Sequence, residues 1–161
     1  MQDPRSIANF ILDIGSAKGI PISNLALNKI AYFLHGIFLA KFGTPLIDAK
    51  IEAWQYGPVF REIYHEFKSF GDRPIDARAL KFDIESRDKI PVTYDFDQTV
   101  LEVMSESVVS YLSMRPGALV ELSHVHDGPW HKAWFHDDNV NPGMEITNDS
   151  IESYFKSEVR H

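Results

Sequence analysis

Apolar and polar positions along this chain change period several times, and each change marks an element. Ile7, Phe10, Ile11 and Ile14 recur at helical spacing behind Asp3-Pro4, a capping residue with proline at the first helical position. Gly19 and Pro21 stop that helix. Ser23 caps a second helix running to about Phe42, with Gly43 as its terminator. Leu27, Ile30, Ala31, Leu34, Ile37 and Phe38 line one of its faces, and Leu25, Tyr32 and Leu39 another. A helix apolar nearly all round belongs in the middle of a domain. Its longest apolar run, from Ile30 to Ala40, is interrupted by His35 and Gly36 and is about half the length of a membrane span, so a buried core helix is expected.

From Ile51 to Tyr56 the residues favour a strand. Gly57-Pro58 reads as its end and as the start of a third helix, with Pro58 at the first position, Phe60, Ile63, Tyr64 and Phe67 as the core stripe and Gly71 as the cap. Leu80, Phe82 and Ile84, then Ile90, Val92, Tyr94 and Phe96, alternate with polar residues around a charged loop, the pattern of a hairpin, with a frayed helix as the alternative for the first arm. Asp97 caps a fourth helix that ends before Arg115-Pro116-Gly117. Short helices follow through Leu119 to Leu122 and from Trp130, then a polar loop from Asp137 to Gly143, and Asn148 or Asp149 caps a last helix. The pattern predicts a mainly α (α+β) fold: a compact helical domain around a central apolar helix, with a small β-hairpin or short antiparallel sheet. With 161 residues the chain has the length of one domain, residues 1–161.

Composition narrows the function classes. Hydrophobic residues at 44% suffice for a core and exclude a disordered chain. The formal charge of −7 repels phosphate, and the basic residues are scattered, so direct nucleic-acid binding is disfavoured. The absence of cysteine removes disulfides, thiolate metal sites and a Cys nucleophile. The first five residues lack the plan of a signal peptide, so a cytoplasmic location is expected, with no membrane partner.

Two polar blocks carry what candidate chemistry there is. The first, Ser123-His124-Val125-His126-Asp127-Gly128-Pro129-Trp130-His131, invites a metal or catalytic reading. The residues before it read as helix, on which His124 and His126 diverge by about 200° and Ser123 and His124 by about 100°. No HExxH spacing and no Gly-x-Ser-x-Gly elbow are present. The expectation is therefore no catalytic residue, no metal and no cofactor, with imidazoles at a helix end and a structural turn. The second block, Trp54-Gln55-Tyr56-Gly57-Pro58, places two amphipathic aromatics on one strand face. They either fill the core, the favoured reading, or anchor a partner protein.

Lys29 to Gly36, Ile51 to Val59 with Trp54-Gln55-Tyr56-Gly57-Pro58, and Tyr64 to Phe67, followed by Leu122-Ser123-His124 and Gly128-Pro129-Trp130 with Ala133, together resemble the Panacea domain, a SocA-like or GepA-like phage-associated group. The likeness covers roughly residues 7 to 135. It implies an antitoxin that neutralises a cognate protein toxin by direct contact. For a member acting as a proteolytic adaptor it also implies delivery of that toxin to a ClpXP-type protease. Trp54, Tyr56, Gly57, Pro58, Ser123, His124, Gly128, Pro129 and Trp130 are then family-motif residues, serving either the partner surface or the fold. An acidic inhibitor would steer towards a positively charged toxin. Two other classes stand beside this one. A small metal- or His-dependent enzyme requires His124, His126 and His131 to converge with Asp127 or Glu121 beside them. A DNA-binding regulator requires a contiguous basic face.

Overall fold

The computed structural model describes residues 1–159. Helix α1 (Pro4–Lys18) starts where the Asp3 carboxylate accepts the Arg5 backbone N–H at 2.8 Å and ends at Gly19, whose φ of 67° only glycine adopts without strain. Helix α2 (Asn24–Phe42) begins with the Ser23 hydroxyl accepting the Ala26 N–H and ends at Gly43 in the same left-handed conformation. As its sequence requires, α2 is the hub: Leu27, Ile30, Ala31 and Leu34 are shut off from solvent. It is long and apolar enough to cross a membrane by composition alone, yet 67% of its most apolar stretch is buried within the fold.

Strand β1 (Ile51–Trp54) pairs antiparallel with β2 (Gly57–Phe60), placing Pro58 opposite Ala53. The expected helix start at Gly57-Pro58 is thus corrected to a strand, and helix α3 (Arg61–Phe67) begins three residues after Pro58. β2 is an edge strand, where a residue without an N–H leaves no ladder bond unmade. The tight turn between the strands is Gln55-Tyr56, so Trp54 and Tyr56 do not share a strand face. A short 3-10 turn (Lys68–Phe70) follows α3, and Gly71 closes it.

Strands β3 (Leu80–Asp83) and β4 (Asp88–Pro91) form a separate hairpin. The second arm starts earlier than its apolar alternation suggests. Phe82 is 62% exposed and Ile84 82%, so the alternation here does not mark a buried face. The hairpin's base is pinned by Asn9, buried in α1, whose amide donates to the Ala79 and Val92 carbonyls and accepts the Ala79 N–H. Helix α4 (Gln98–Leu112) is capped by Asp97 as expected. Helices α5 (Pro116–Ser123) and α6 (Pro129–Trp134) follow, each with proline in its first turn.

Strand β5 (Met144–Ile146), at the end of the polar loop, pairs antiparallel with the free side of β1, giving the order β2-β1-β5. The last helix, α7 (Asn148–Val159), is capped by Thr147, whose hydroxyl accepts the Ser150 N–H, rather than by Asn148 or Asp149. Asn148 has a different task. Its side-chain oxygen accepts from Nε2 of buried His35, while His35 Nδ1 accepts the Ile47 N–H at 3.2 Å. Gly36 lies under the Phe155 ring, at a position where any Cβ would collide with it. α7 therefore seats on α2 through a missing side chain and one buried imidazole.

Candidate functional site

The two motif blocks, about seventy residues apart in sequence, meet at the end of the three-stranded sheet. Trp130 on α6 donates its indole N–H to the Trp54 carbonyl at 2.8 Å. Gly57, with φ at 117°, sits against two side chains at once. A Cβ there would stand 2.6 Å from Lys29 Cε and 2.7 Å from Ser123 Oγ. Only glycine combines that backbone with that approach. Lys29, on the fully packed middle of α2, donates from Nζ to the Pro58 carbonyl at 3.0 Å. Burial pushes its ammonium pKa down to about 7. Among the described residues no carboxylate lies within ion-pair distance of it.

His124, just past α5, stacks on Trp130 with ring centroids 3.8 Å apart and planes 17° from parallel. Its pKa is lowered first by burial and then by the Lys29 charge. Its Nε2 is buried without a hydrogen-bond partner. Ser123 donates its hydroxyl back to the Val120 carbonyl, the ordinary habit of a serine near a helix end. Ser123, His124 and Asp127 therefore do not assemble as nucleophile, base and orienter: the serine bonds away from the ring and Asp127 is exposed.

His126 and His131 do come together, with ring centroids 4.6 Å apart and Asp127 beside them, so that one ligand atom from each lies within 4.8 Å of the others. The helix ends at Ser123, and Asp127, at φ 61°, turns the chain back over α6. A continuous helix would have separated these rings. His131 Nδ1 accepts the Asp127 N–H at 3.3 Å, which leaves the proton of the neutral ring on Nε2. A cation would have to displace one or the other, and His124 is withdrawn from the group by its stack on Trp130. Gly128 and buried Pro129 form the turn into α6.

Beside this junction a cavity of about 700 Å³ opens between the first turns of α2, the Gln55-Tyr56 turn and α3. Trp54 is half-buried on its wall and meets Tyr64 edge-to-face at 4.8 Å, whereas Tyr56 stands 62% exposed on the rim. Of the two aromatics, then, one packs partly and one faces outward. Asn24 and Asn28 brace the wall: Asn24 donates to the Tyr64 carbonyl, and Asn28 accepts the Phe60 N–H and donates to Asn24. Sequence reasoning missed Lys29 as a member of the site. The available signal was a single cation in a helix otherwise apolar around its middle, which leaves that cation nowhere to go but inside.

A curated protein from Caulobacter vibrioides (strain NA1000 / CB15N), named "Antitoxin SocA", is 39% identical over 155 residues, covering 96% of this chain and 82% of that one. No solved structure matches the chain. A family model described as "Antitoxin SocA-like, Panacea domain" matches residues 27–131. That segment opens two residues before Lys29 and closes one residue after Trp130, so it encloses the whole junction of Lys29, Gly57, Ser123, His124 and Trp130. The chain belongs to this Antitoxin SocA-like, Panacea domain family.

Proposed function

We propose that this chain is a cytoplasmic antitoxin, acting as one domain over residues 1–161, that neutralises a cognate protein toxin by direct binding. The likeness to "Antitoxin SocA" along nearly the whole chain carries the reading. The arrangement of side chains supports contact rather than catalysis: the family-motif residues are spent on holding strand, helix and turn together. Gly57, Pro58, Ser123, Pro129 and Trp130 are buried or without a free functional group, and Tyr56 presents its ring outward. A protein that works by contact needs a rigid frame with a few exposed anchors, and large amphipathic aromatics are the usual ones.

Co-expression tests the reading. The small product of an adjacent reading frame, toxic when induced alone, is expected to lose its toxicity when this chain is made with it and to co-purify with it. A neighbour whose toxicity is untouched would overturn the proposal. Delivery of the toxin to a ClpXP-type protease is the finer form of the same reading. It requires toxin levels to fall in cells with that protease and to persist in cells without it. Neutralisation that is equal in both, at unchanged toxin level, assigns the effect to masking alone.

A further inference from the structure

The cavity beside the junction carries a buried cation, Lys29, that has no carboxylate within ion-pair distance among the described residues. Lys29 has three N–H donors and makes one hydrogen bond, to the Pro58 carbonyl. It is fully buried, at the floor of a cavity of about 700 Å³. A buried ammonium lacking an anionic partner is unfavourable, and an apolar side chain of similar shape would remove that penalty. The fold nevertheless makes room for it, because Gly57 forgoes a side chain at φ 117° where a Cβ would touch Lys29 Cε. The walls are of another kind. Leu25, Trp54 and Tyr64 offer apolar and aromatic surface, and Tyr56 stands exposed at the mouth. Lys68 and Asp72 also line the cavity, so its lining carries two cations to one carboxylate, and with the aromatic wall that suits an acidic side chain set in an apolar segment.

We propose that this cavity is the docking site for the partner toxin, which inserts one carboxylate towards Lys29 Nζ with its flanking apolar residues against Trp54 and Tyr56. The inference rests on the toxin-binding reading above and gives it a surface. A protein segment fits better than a free polyanion. The chain's charge of −7 repels phosphate-rich molecules at long range, whereas a basic protein presenting a single acidic anchor is attracted. The local charge at the pocket floor is thus opposite in sign to that of the chain. Lys29 is closed off from solvent in the free protein, so docking requires the base of the cavity to open onto Nζ.

The experiment uses the full chain and the toxin identified by co-expression. Tyr56→Ala is expected to weaken the complex at least about tenfold, a hot-spot loss, with the melting temperature of the free chain unchanged. Lys29→Met, which keeps an unbranched side chain one atom shorter and removes the charge, is expected to weaken it by a similar factor. Should Lys29→Met not fold, the wild-type chain labelled at lysine Cε supplies the same answer by NMR. The Lys29 titration is expected to move upward by a unit or more when the toxin binds, because a carboxylate beside an ammonium favours its charged form. Unchanged affinity in Tyr56→Ala together with an unmoved Lys29 titration overturns the docking site while leaving the antitoxin reading intact. A neighbour that this chain does not neutralise overturns both.

Discussion

Gly57→Ala is the sharpest perturbation of the junction. The residue sits at φ 117°, a conformation an L-residue holds only at about 1–3 kcal/mol of backbone strain. Its new Cβ would lie 2.6 Å from Lys29 Cε and 2.7 Å from Ser123 Oγ. Both atoms are buried, so neither can swing into solvent, and overpacking of this kind costs about 1–3 kcal/mol more. The sum, about 2–6 kcal/mol, corresponds to a fall in melting temperature of about 4–24 °C for a domain of this size. Gly43→Ala is the control: φ is 71° and nothing lies within 4 Å of the added Cβ, so only the left-handed penalty of about 1–2 kcal/mol applies. Urea denaturation followed by circular dichroism measures both variants against the parent. Adding Ser123→Ala to Gly57→Ala removes one of the two close contacts and is expected to restore about 1 kcal/mol. A Gly57→Ala protein no less stable than Gly43→Ala would refute the claim that the two motifs meet at this glycine.

Lys29, at about 7 when folded against about 10.4 when unfolded, is protonated more in the unfolded chain between those values, so stability is expected to rise with pH from about 7 to 9.5, by up to about 1.4 kcal/mol per unit. Lys29→Met should flatten that slope in denaturation at pH 7, 8 and 9, and equal slopes in both proteins would contradict the buried cation. Above pH 10 the trend reverses, because burial pushes Tyr94 and Tyr111 up to about 12 and the unfolded chain loses those protons first. His35, whose pKa is lowered first by burial, is held neutral between the Ile47 N–H and Asn148. Its stabilisation is complete above about pH 6.5 and declines as pH falls through the depressed folded value, with His124 acting in the same direction. His35→Gln should reduce the acid-side slope, and an unchanged slope would remove His35 as its source. Asn9→Ala deletes three buried hydrogen bonds and is expected to cost about 2–4 kcal/mol. The Ala79 and Val92 amides should then exchange faster with solvent than those of α2, whereas equal protection throughout would show that the hairpin base is held by other contacts.

What could be read from the sequence is what local chemistry decides. Asp3, Ser23 and Asp97 cap the helices they precede, because each side chain satisfies an N–H two or three residues away. Pro58 misleads because proline starts helices and also tolerates edge strands, and only the partner strand distinguishes the two. Met144-Glu145-Ile146 carries almost no strand pattern of its own, and its geometry comes from lying along β1. The junction is hidden for the same reason. Nothing near Gly57 announces Ser123, and nothing near His126 says that the helix stops at Ser123 rather than running on through the histidines. Phe82 and Ile84 show the opposite failure, an amphipathic alternation that the fold leaves uncovered.

The order β2-β1-β5 also sets a clock on the protein's synthesis. β1 meets β2 across a two-residue turn, but its other side waits for Met144 to Ile146, with Ile51 finally opposite Ile146. At about 5–20 residues per second, a nascent chain carries that open strand edge for about 5–20 s before the third strand emerges. The same late segment brings Asn148 to His35 and Phe155 to Gly36, so the hub helix and the central strand are closed by the same last stretch of chain. A product broken off before Met144 would keep an unpaired edge and an unsealed α2. Both are features that proteases and aggregation select against, so the cell would be left with finished molecules and few partial ones.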